Sequence, residues 1–179
     1  MPFTPYHMGP GILVKALLRG GFSLVVYGWT QIIMDVQPFV AILTGATRYH
    51  GATHTLVGAT VLGAGAAVTG KYIVDVCSSL LPRRWRPRDR TLWSVAFLSA
   101  FIGSYVHVAL DSIWHSDVAP LWPLSASSPL FGLVREGSYG FWVLCVWSGV
   151  IGAVWYITVT VLRALAVRRK RIRELPEEQ

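Results

Sequence analysis

Histidine and aspartate, two residue types that bind metals and transfer protons, are concentrated in or beside the apolar stretches of this chain. All five histidines and four of the five aspartates lie there: His7, His50, His54, His107, His115, Asp35, Asp75, Asp111 and Asp117. An ionisable side chain in hydrocarbon is costly and is generally retained because it has a partner or a function. Imidazole and carboxylate together are ligands of zinc-type metals. These stretches therefore predict a buried metal site, and a hydrolase is the first function to consider.

The spacing of these residues suggests that they converge. His50 and His54 are four residues apart, which places two side chains on one face of a helix, although Gly51 between them could form a turn instead. His107 and Asp111 repeat the spacing at the end of a later apolar stretch. Two such pairs near one membrane face favour a shared metal site. The alternative is a hydrogen-bonded polar cluster that locks the helices together without a metal.

Other polar residues near these pairs have roles that the pattern leaves open. Asp35 lies within the first long apolar stretch, shortly before a proline. Asp117 could be a ligand or could cap a turn, and the same alternatives apply to His115. Thr53 and Thr55 could cap a helix or hydrogen-bond to the ligands from outside.

The composition is that of a membrane protein. The chain has 179 residues, enough for one domain, of which 53% are hydrophobic and 14% are charged, and its mean hydropathy is +0.49. Soluble domains are typically about 25% charged. The eight tryptophans suit anchoring at membrane interfaces. Two cysteines without a Cys-x-x-Cys motif indicate neither a disulfide framework nor a thiolate zinc site.

Four stretches are long enough to cross a membrane, since a spanning helix needs about 20 apolar residues. We predict an all-α integral membrane protein with four transmembrane helices and a short N-terminal half-helix, in a single domain at 1–173 with a short tail at 174–179. The predicted helices are 11–19, 21–45, 52–77, 91–113 and 140–167. The second long helix is rich in small residues, so we expect other helices to surround it. The last helix is bulky and should face lipid.

The N-terminal segment is too short to span a membrane. Residues 11–18 would reach only about 12 Å as a helix, and they are followed by Arg19 and two glycines that predict a turn. We interpret this segment as a half-helix that packs against the first span and returns His7 to the side of the other histidines. The alternative is an interfacial amphipathic helix with His7 exposed in the cytoplasm.

Two basic clusters predict the orientation of the chain. Five arginines lie in 83–90 and five basic residues in 168–173, whereas 48–51 and 112–139 hold one arginine each. By the positive-inside rule, the loop at 82–90 and the C-terminus should be cytoplasmic. The clusters contain no aromatic platform apart from Trp85, so no nucleic-acid partner is expected.

Five motifs in a fixed order resemble a known family. They are Met-Pro-Phe-Thr-Pro-Tyr-His-Met-Gly-Pro-Gly at the N-terminus, Ile-Met-Asp-Val-Gln-Pro, His-Gly-Ala-Thr-His-Thr, His-Val-Ala-Leu-Asp-Ser and Pro-Leu-Trp-Pro-Leu-Ser. The series resembles the YdjM-like membrane-bound metal-dependent hydrolases, also described as LexA-binding, inner membrane-associated hydrolases, over roughly residues 1–133. That family is distantly similar to the zinc-dependent phospholipase C and single-strand nuclease superfamily of all-α enzymes.

The resemblance implies a set of metal ligands. They would be His7, Asp35, His50, His54, His107 and Asp111. An aspartate four residues after a histidine bridges two metals in that superfamily, and Asp111 would have this role here. The chain lacks a late glutamate ligand, because Glu136 is the only glutamate before the tail. This departure favours one or two divalent ions, expected to be zinc, over a full three-metal site.

A hydrolytic mechanism follows if a metal binds. A divalent ion lowers the pKa of its water towards about 7 and so supplies hydroxide at neutral pH. Asp111 would be catalytic as the bridging ligand, and Asp35 or Asp117 could be the general base. Arg48 could bind an anionic phosphate. A site that opens at the membrane surface suggests membrane lipids as partners and the phosphoester of a lipid or lipid-linked molecule as substrate.

A protein without enzymatic activity is the competing interpretation. It would bind a divalent metal either as a transporter or as a metal-stabilised scaffold or interaction subunit. A transporter needs a polar path to the cytoplasm, and the inner halves of the helices offer little beyond Lys71, Asp75 and the pair Thr30–Gln31. Lys71 and Asp75, four residues apart, are expected to form an ion pair near the inner interface.

Overall fold

All regular elements that the structure describes are helical. The structure is a computed structural model that describes residues 5–82, 91–134 and 139–173, with side chains up to 170. Its helices are α1 (Met8–Leu18), α2 (Leu24–Leu43), α3 (Leu56–Leu80), α4 (Trp93–Trp114) and α5 (Gly140–Arg173), with 3-10 turns at Pro5–His7, Arg19–Gly21 and Ala52–His54. Three helices, α3, α4 and α5, are long and apolar enough to cross a membrane.

Polar side chains mark the ends of the first three helices. Ser23 accepts a hydrogen bond from the amide of Val26 at the start of α2, and Thr55 accepts one from Gly58 at the start of α3. Hydroxyl groups at these positions satisfy amides that have no partner within the helix. At the end of α1, the Lys15 ammonium donates to the carbonyls of Arg19 and Phe22, each at 2.6 Å, which stabilises the turn into α2.

Helices α2, α3 and α4 form a three-helix core. Each of them contacts the other two, and a layer of fully buried side chains lies at their centre: Val26, Ala66, Ala67 and Ala100. Small residues on α3 allow close approach, since a Cβ atom at Gly63 would lie 2.8 Å from the Ser104 hydroxyl on α4. We expected α3 to be the most enclosed helix, but a larger fraction of α4 than of α3 is buried, because α3 keeps one side exposed.

The N-terminal helix contacts the first predicted span, as expected, since a Cβ atom at Gly11 would lie 2.4 Å from the Tyr27 ring on α2, but it packs more extensively against the last helix. A Cβ atom at Gly9 would lie 1.9 Å from the carbonyl oxygen of Cys145 on α5. A Cβ atom at Gly152 would lie 2.6 Å from the backbone of Leu13. Glycines on both helices therefore let the two backbones meet. Apart from this contact, most of α5 is exposed apolar surface.

Both ends of the bundle carry polar groups. Lys71 and Asp75 form the expected ion pair at one end of α3, with 2.6 Å between Nζ and Oδ2. The histidines lie at the opposite end, where α2 and α4 finish and α1, α3 and α5 begin. The predicted cytoplasmic segments 83–90 and 174–179 lie outside the described residues.

Candidate metal centre

Asp111 is the centre of the polar cluster. Its Oδ1 atom lies 3.3 Å from Nε2 of His7. Its Oδ2 atom faces three further histidines: His107 at 3.2 Å, His54 at 3.3 Å and His50 at 3.8 Å. The carboxylate thus presents its two oxygens to two different sets of imidazoles, which is the arrangement that a bridging ligand requires.

Four buried residues form the inner part of the cluster. The Nε2 atoms of His54 and His107 lie 3.3 Å apart, and Oδ1 of Asp35 lies 3.5 Å from Nε2 of His107. Asp35, His54, His107 and Asp111 each offer one ligand atom, and these atoms all lie within 4.8 Å of one another. The set contains two imidazoles and two carboxylates, a donor set suited to zinc.

The His107–Asp111 pair and the His50–His54 pair lie on structural elements of different kinds. His107 and Asp111 lie one turn apart on α4, so their four-residue spacing acts through a regular helix as predicted. The His50–His54 pair does not, because a 3-10 turn at Ala52–His54, closed by a hydrogen bond from the His54 amide to the Gly51 carbonyl, follows Gly51, and α3 begins only at Leu56. The helical interpretation of this pair was therefore wrong, and the alternative of a turn at Gly51 was right.

Gln31 determines which nitrogen of His107 faces the cluster. Its amide nitrogen donates to the carbonyls of Gly103 at 3.1 Å and Tyr27 at 3.4 Å. Its Oε1 atom must then be the group that lies 2.9 Å from Nδ1 of His107, and an amide oxygen only accepts. Nδ1 of His107 therefore carries a proton, and in the neutral imidazole the Nε2 lone pair points at Asp35 and Asp111.

Thr53 and Gln37 determine the state of His54 in the same way. The amide of Thr53 donates to Oε1 of Gln37 at 3.3 Å, and the Thr53 hydroxyl donates to the same oxygen. The hydroxyl oxygen can then only accept from Nδ1 of His54, which lies 2.9 Å away. In the neutral imidazole, the Nε2 lone pair of His54 is therefore also directed into the cluster.

Asp117 orients His50 from the surface. Its Oδ1 atom lies 2.8 Å from Nδ1 of His50, and its Oδ2 atom accepts from the amides of His50 at 3.0 Å and Tyr49 at 3.2 Å. Burial alone would raise the pKa of Asp117, but these hydrogen bonds outweigh it and lower the pKa. With these hydrogen bonds Asp117 holds His50 in position, and its role as a general base stays a prediction.

His7 joins the cluster from α1 without a comparable hydrogen bond. The hydroxyl of Tyr27 donates to the carbonyl of His7 at 2.8 Å and ties its backbone to α2. The His7 side chain is buried, and its Nδ1 atom has no partner among the described residues. His7 is therefore buried beside the other histidines, whereas the alternative for α1 required it to be exposed.

The inner cluster has the dimensions and charge that a divalent cation needs. Zinc with ligands at about 2.0–2.1 Å in a tetrahedron separates them by about 3.3–3.4 Å, and the separations that centre on His107 are 3.2, 3.3 and 3.5 Å. Nε2 of His54 and of His107 cannot both carry protons while they face each other at that distance. Two carboxylates balance a charge of +2 once the imidazoles are neutral. The residues therefore fit a divalent metal ion.

A cavity of about 290 Å³ reaches the outer side of the cluster. Its wall includes Arg48, His50, Asp117 and Trp122. His50 belongs to both the cavity wall and the cluster, so a molecule in the cavity would approach the metal ligands past this side chain. His115 stacks on His50 with ring centroids 4.3 Å apart, and burial lowers its pKa to about 4.

Two functional residues were missed by the sequence interpretation, namely Gln31 as a partner of a ligand and Gln37 as a partner of Thr53. The pattern that could have revealed Gln31 is its position four residues before Asp35 in an otherwise apolar stretch, since polar side chains in a membrane helix are seldom without a partner. An uncharged amide is easily overlooked when only ionisable residues are considered.

Comparisons with protein-family models, with curated proteins and with solved structures found no match. The resemblance to YdjM-like hydrolases stays a prediction from the sequence motifs.

Proposed function

We propose that this chain is a membrane-bound metal-dependent hydrolase that cleaves a phosphoester of a lipid or lipid-linked substrate. The observation that carries the proposal is the hydrogen bonding outside the cluster, which directs the Nε2 lone pairs of His54 and His107 at two carboxylates. Lone pairs and carboxylate oxygens repel one another unless a cation lies among them. The YdjM-like motifs support the same conclusion.

The residues divide into metal ligands and groups that handle the substrate. Asp35, His54, His107 and Asp111 would hold the ion, with His7 and His50 on its flanks. A bound divalent ion, which we propose is zinc, supplies a Lewis acid and activates water at neutral pH. Arg48 on the cavity wall would bind the phosphate through its guanidinium group. Trp122 would shield the reacting group from bulk water.

The same helices support a fourth membrane crossing. Helix α2 has 20 residues, about 30 Å of helix, and it packs along α3 and α4. With α2 as a span, the basic segments fall on one side and the metal cluster on the other, so the cluster would face away from the cytoplasm. Cysteine labelling at Ser79 and at Ser127, in a variant without native cysteines, tests this orientation. Labelling of Ser79 but not Ser127 from outside intact cells would reverse it.

A metal transporter is less well supported than a hydrolase. The layer of Val26, Ala66, Ala67 and Ala100 is fully buried and lies between the metal cluster and the Lys71–Asp75 pair. The buried hydroxyls near this layer bond to nearby backbone, as Thr30 does to Val26 and Ser99 to Val95. This layer would block a polar path across the bundle. A metal-stabilised scaffold without catalytic activity remains the main alternative.

Hydrolysis by the metal-loaded protein tests the proposal directly. The purified protein in detergent is incubated with a panel of phospholipids and lipid phosphates, and release of phosphate or headgroup is measured with and without a chelator. We expect release that the chelator abolishes and that added zinc restores. No release from any phosphoester by a protein shown to contain metal would favour the scaffold.

A further inference from the structure

Helix α2 supplies two further polar residues to the cluster besides the proposed ligand Asp35. Gln31 lies one turn before Asp35, and its amide reaches the outer side of His107. Gln37 lies two residues after Asp35, and its amide holds the Thr53 hydroxyl against His54. Two amides of one helix thus control, directly or through a hydroxyl, the two innermost histidines.

Neither amide can be reversed without loss of hydrogen bonds. A reversed Gln31 would place its oxygen against the carbonyls of Gly103 and Tyr27, and acceptors repel each other. A reversed Gln37 would place its amino group against the Thr53 amide, which is itself a donor. Gly51 permits the close fit, because a Cβ atom there would lie 2.4 Å from the Gln37 amide.

We infer that Gln31 and the Gln37–Thr53 pair are positioning residues that keep His107 and His54 in the neutral tautomer required to bind a divalent cation. The inference rests on the metal-binding part of the proposed function. Partners on the outer nitrogen of a metal-binding histidine commonly fix its tautomer and its orientation. Here those partners are uncharged, so the buried cluster keeps only the two negative charges that a divalent ion balances.

The two buried histidines have uncharged hydrogen-bonding partners, whereas the histidine at the cavity wall has a carboxylate. His50, at the cavity wall, is oriented by the Asp117 carboxylate, whose side chain is 28% exposed to solvent. His54 and His107 are fully buried, and a third carboxylate beside them would add an unbalanced charge in a place without water. Uncharged partners in the interior and a charged partner at the surface are therefore the arrangement expected for a divalent site.

Thr53 offers the sharper test because a nearly isosteric change removes only its hydroxyl. Thr53→Val should weaken zinc binding about 10–100-fold, since Nδ1 of His54 loses its acceptor. Thr53→Ser retains the hydroxyl and should bind zinc as the wild type does. Thr60→Val is the matched control, because among the described residues the Thr60 hydroxyl bonds only to Leu56 and Tyr105, on the exposed side of α3. Competition with a chromophoric chelator measures the affinity of each protein.

The tautomers can be observed without any metal or substrate. Imidazole ¹⁵N chemical shifts of the metal-free protein distinguish a protonated Nδ1 from a protonated Nε2. We expect His54 to change from the pure Nδ1-protonated form to a mixture in Thr53→Val, and His107 to do so in Gln31→Leu. A purely structural role would alter thermal stability without this change.

The outcomes separate this inference from the proposed function. A wild-type protein that binds no divalent metal overturns both. If the wild type binds zinc and the affinities of Thr53→Val and Gln31→Leu lie within about threefold of it, with unchanged tautomers, the positioning role is overturned. The metal site itself is not affected by that outcome. The inference is supported if Thr53→Val and Gln31→Leu bind zinc more weakly than the wild type, while Thr53→Ser and Thr60→Val bind it as the wild type does.

Discussion

His54 and His107 face each other with 3.3 Å between their Nε2 atoms. One side chain comes from the 3-10 turn before α3 and the other from α4, and each is held from behind by a different hydrogen-bonding partner. Two neutral imidazoles so arranged gain little from each other, but both can bind one cation. A polar cluster that only joins helices would instead alternate donors and acceptors, so the protonation of these two nitrogen atoms distinguishes the two alternatives.

Asp111→Asn should abolish metal binding while leaving the protein folded. The substitution preserves the shape of the side chain but removes one of the two negative charges that balance the cation, and it replaces an oxygen that faces His7 or the other histidines. We expect zinc content to fall below about one tenth of the wild-type value, and chelator-sensitive hydrolysis to disappear with it. Elemental analysis and headgroup release measure the two effects.

Asp75→Asn is the matched control for this change. It also removes an aspartate charge, but in the Lys71 pair at the other end of the bundle. Zinc content should therefore stay at the wild-type level. If Asp111→Asn retained its zinc as well, Asp111 would be a packing residue.

Arg48→Ala should impair substrate binding without loss of metal. Arg48 lines the cavity and is not one of the four residues of the inner cluster. Loss of a hydrogen bond to a charged group costs about 1.5–3 kcal/mol, so we expect kcat/KM for a phosphoester to fall about 10–100-fold, mainly through KM. Arg48→Lys should restore part of this loss, since it keeps the charge but not the bidentate geometry. Arg163→Ala, an exposed arginine on α5, should have no effect.

The part of the site that lies on a regular helix could be predicted from the sequence. His107 and Asp111 follow helical periodicity, and the structure places them on one face of α4. The His50 and His54 side chains also lie near each other, but through an irregular segment in which Gly51, the 3-10 turn and a hydrogen bond from Leu56 to Pro120 determine the path. Such a path depends on contacts with a loop 60 or more residues away, which local spacing cannot reveal.

The more extensive packing of α1 against α5 could not be predicted for a related reason. Which helices pack together is decided by where small residues on both surfaces coincide, and a single sequence shows each surface separately. Gly9 on α1 matches Gly149 on α5, and this match only becomes visible once both helices are placed. The glutamines of α2 were overlooked because their importance lies in hydrogen-bond direction, which residue type alone does not give.

Gly9→Ala should destabilise the protein and disturb His7. The new methyl group would overlap the Cys145 carbonyl on α5, and such overpacking typically costs about 1–3 kcal/mol. Because His7 precedes α1 directly, a shift of this helix should also weaken zinc binding. Gly65→Ala is the control, since nothing lies within 4 Å of its Cβ position, and better helix propensity should raise its stability slightly. Thermal unfolding in detergent compares the two, and equal stabilities would contradict the close contact of α1 with α5.

His115 should make the folded protein less stable as the pH falls from about 6.5 to about 4. Burial lowers the pKa of His115 from 6.5 to about 4, so within this range the unfolded chain binds a proton that the folded chain does not. Acid therefore favours unfolding, and the effect is complete once the pH is below the folded-state pKa. His115→Asn removes this contribution, so the decrease in Tm between about pH 7 and about pH 4.5 should be smaller in the variant than in the wild type. The measurement is made on chelator-treated protein, and the same decrease in both proteins would show that His115 is not buried against His50.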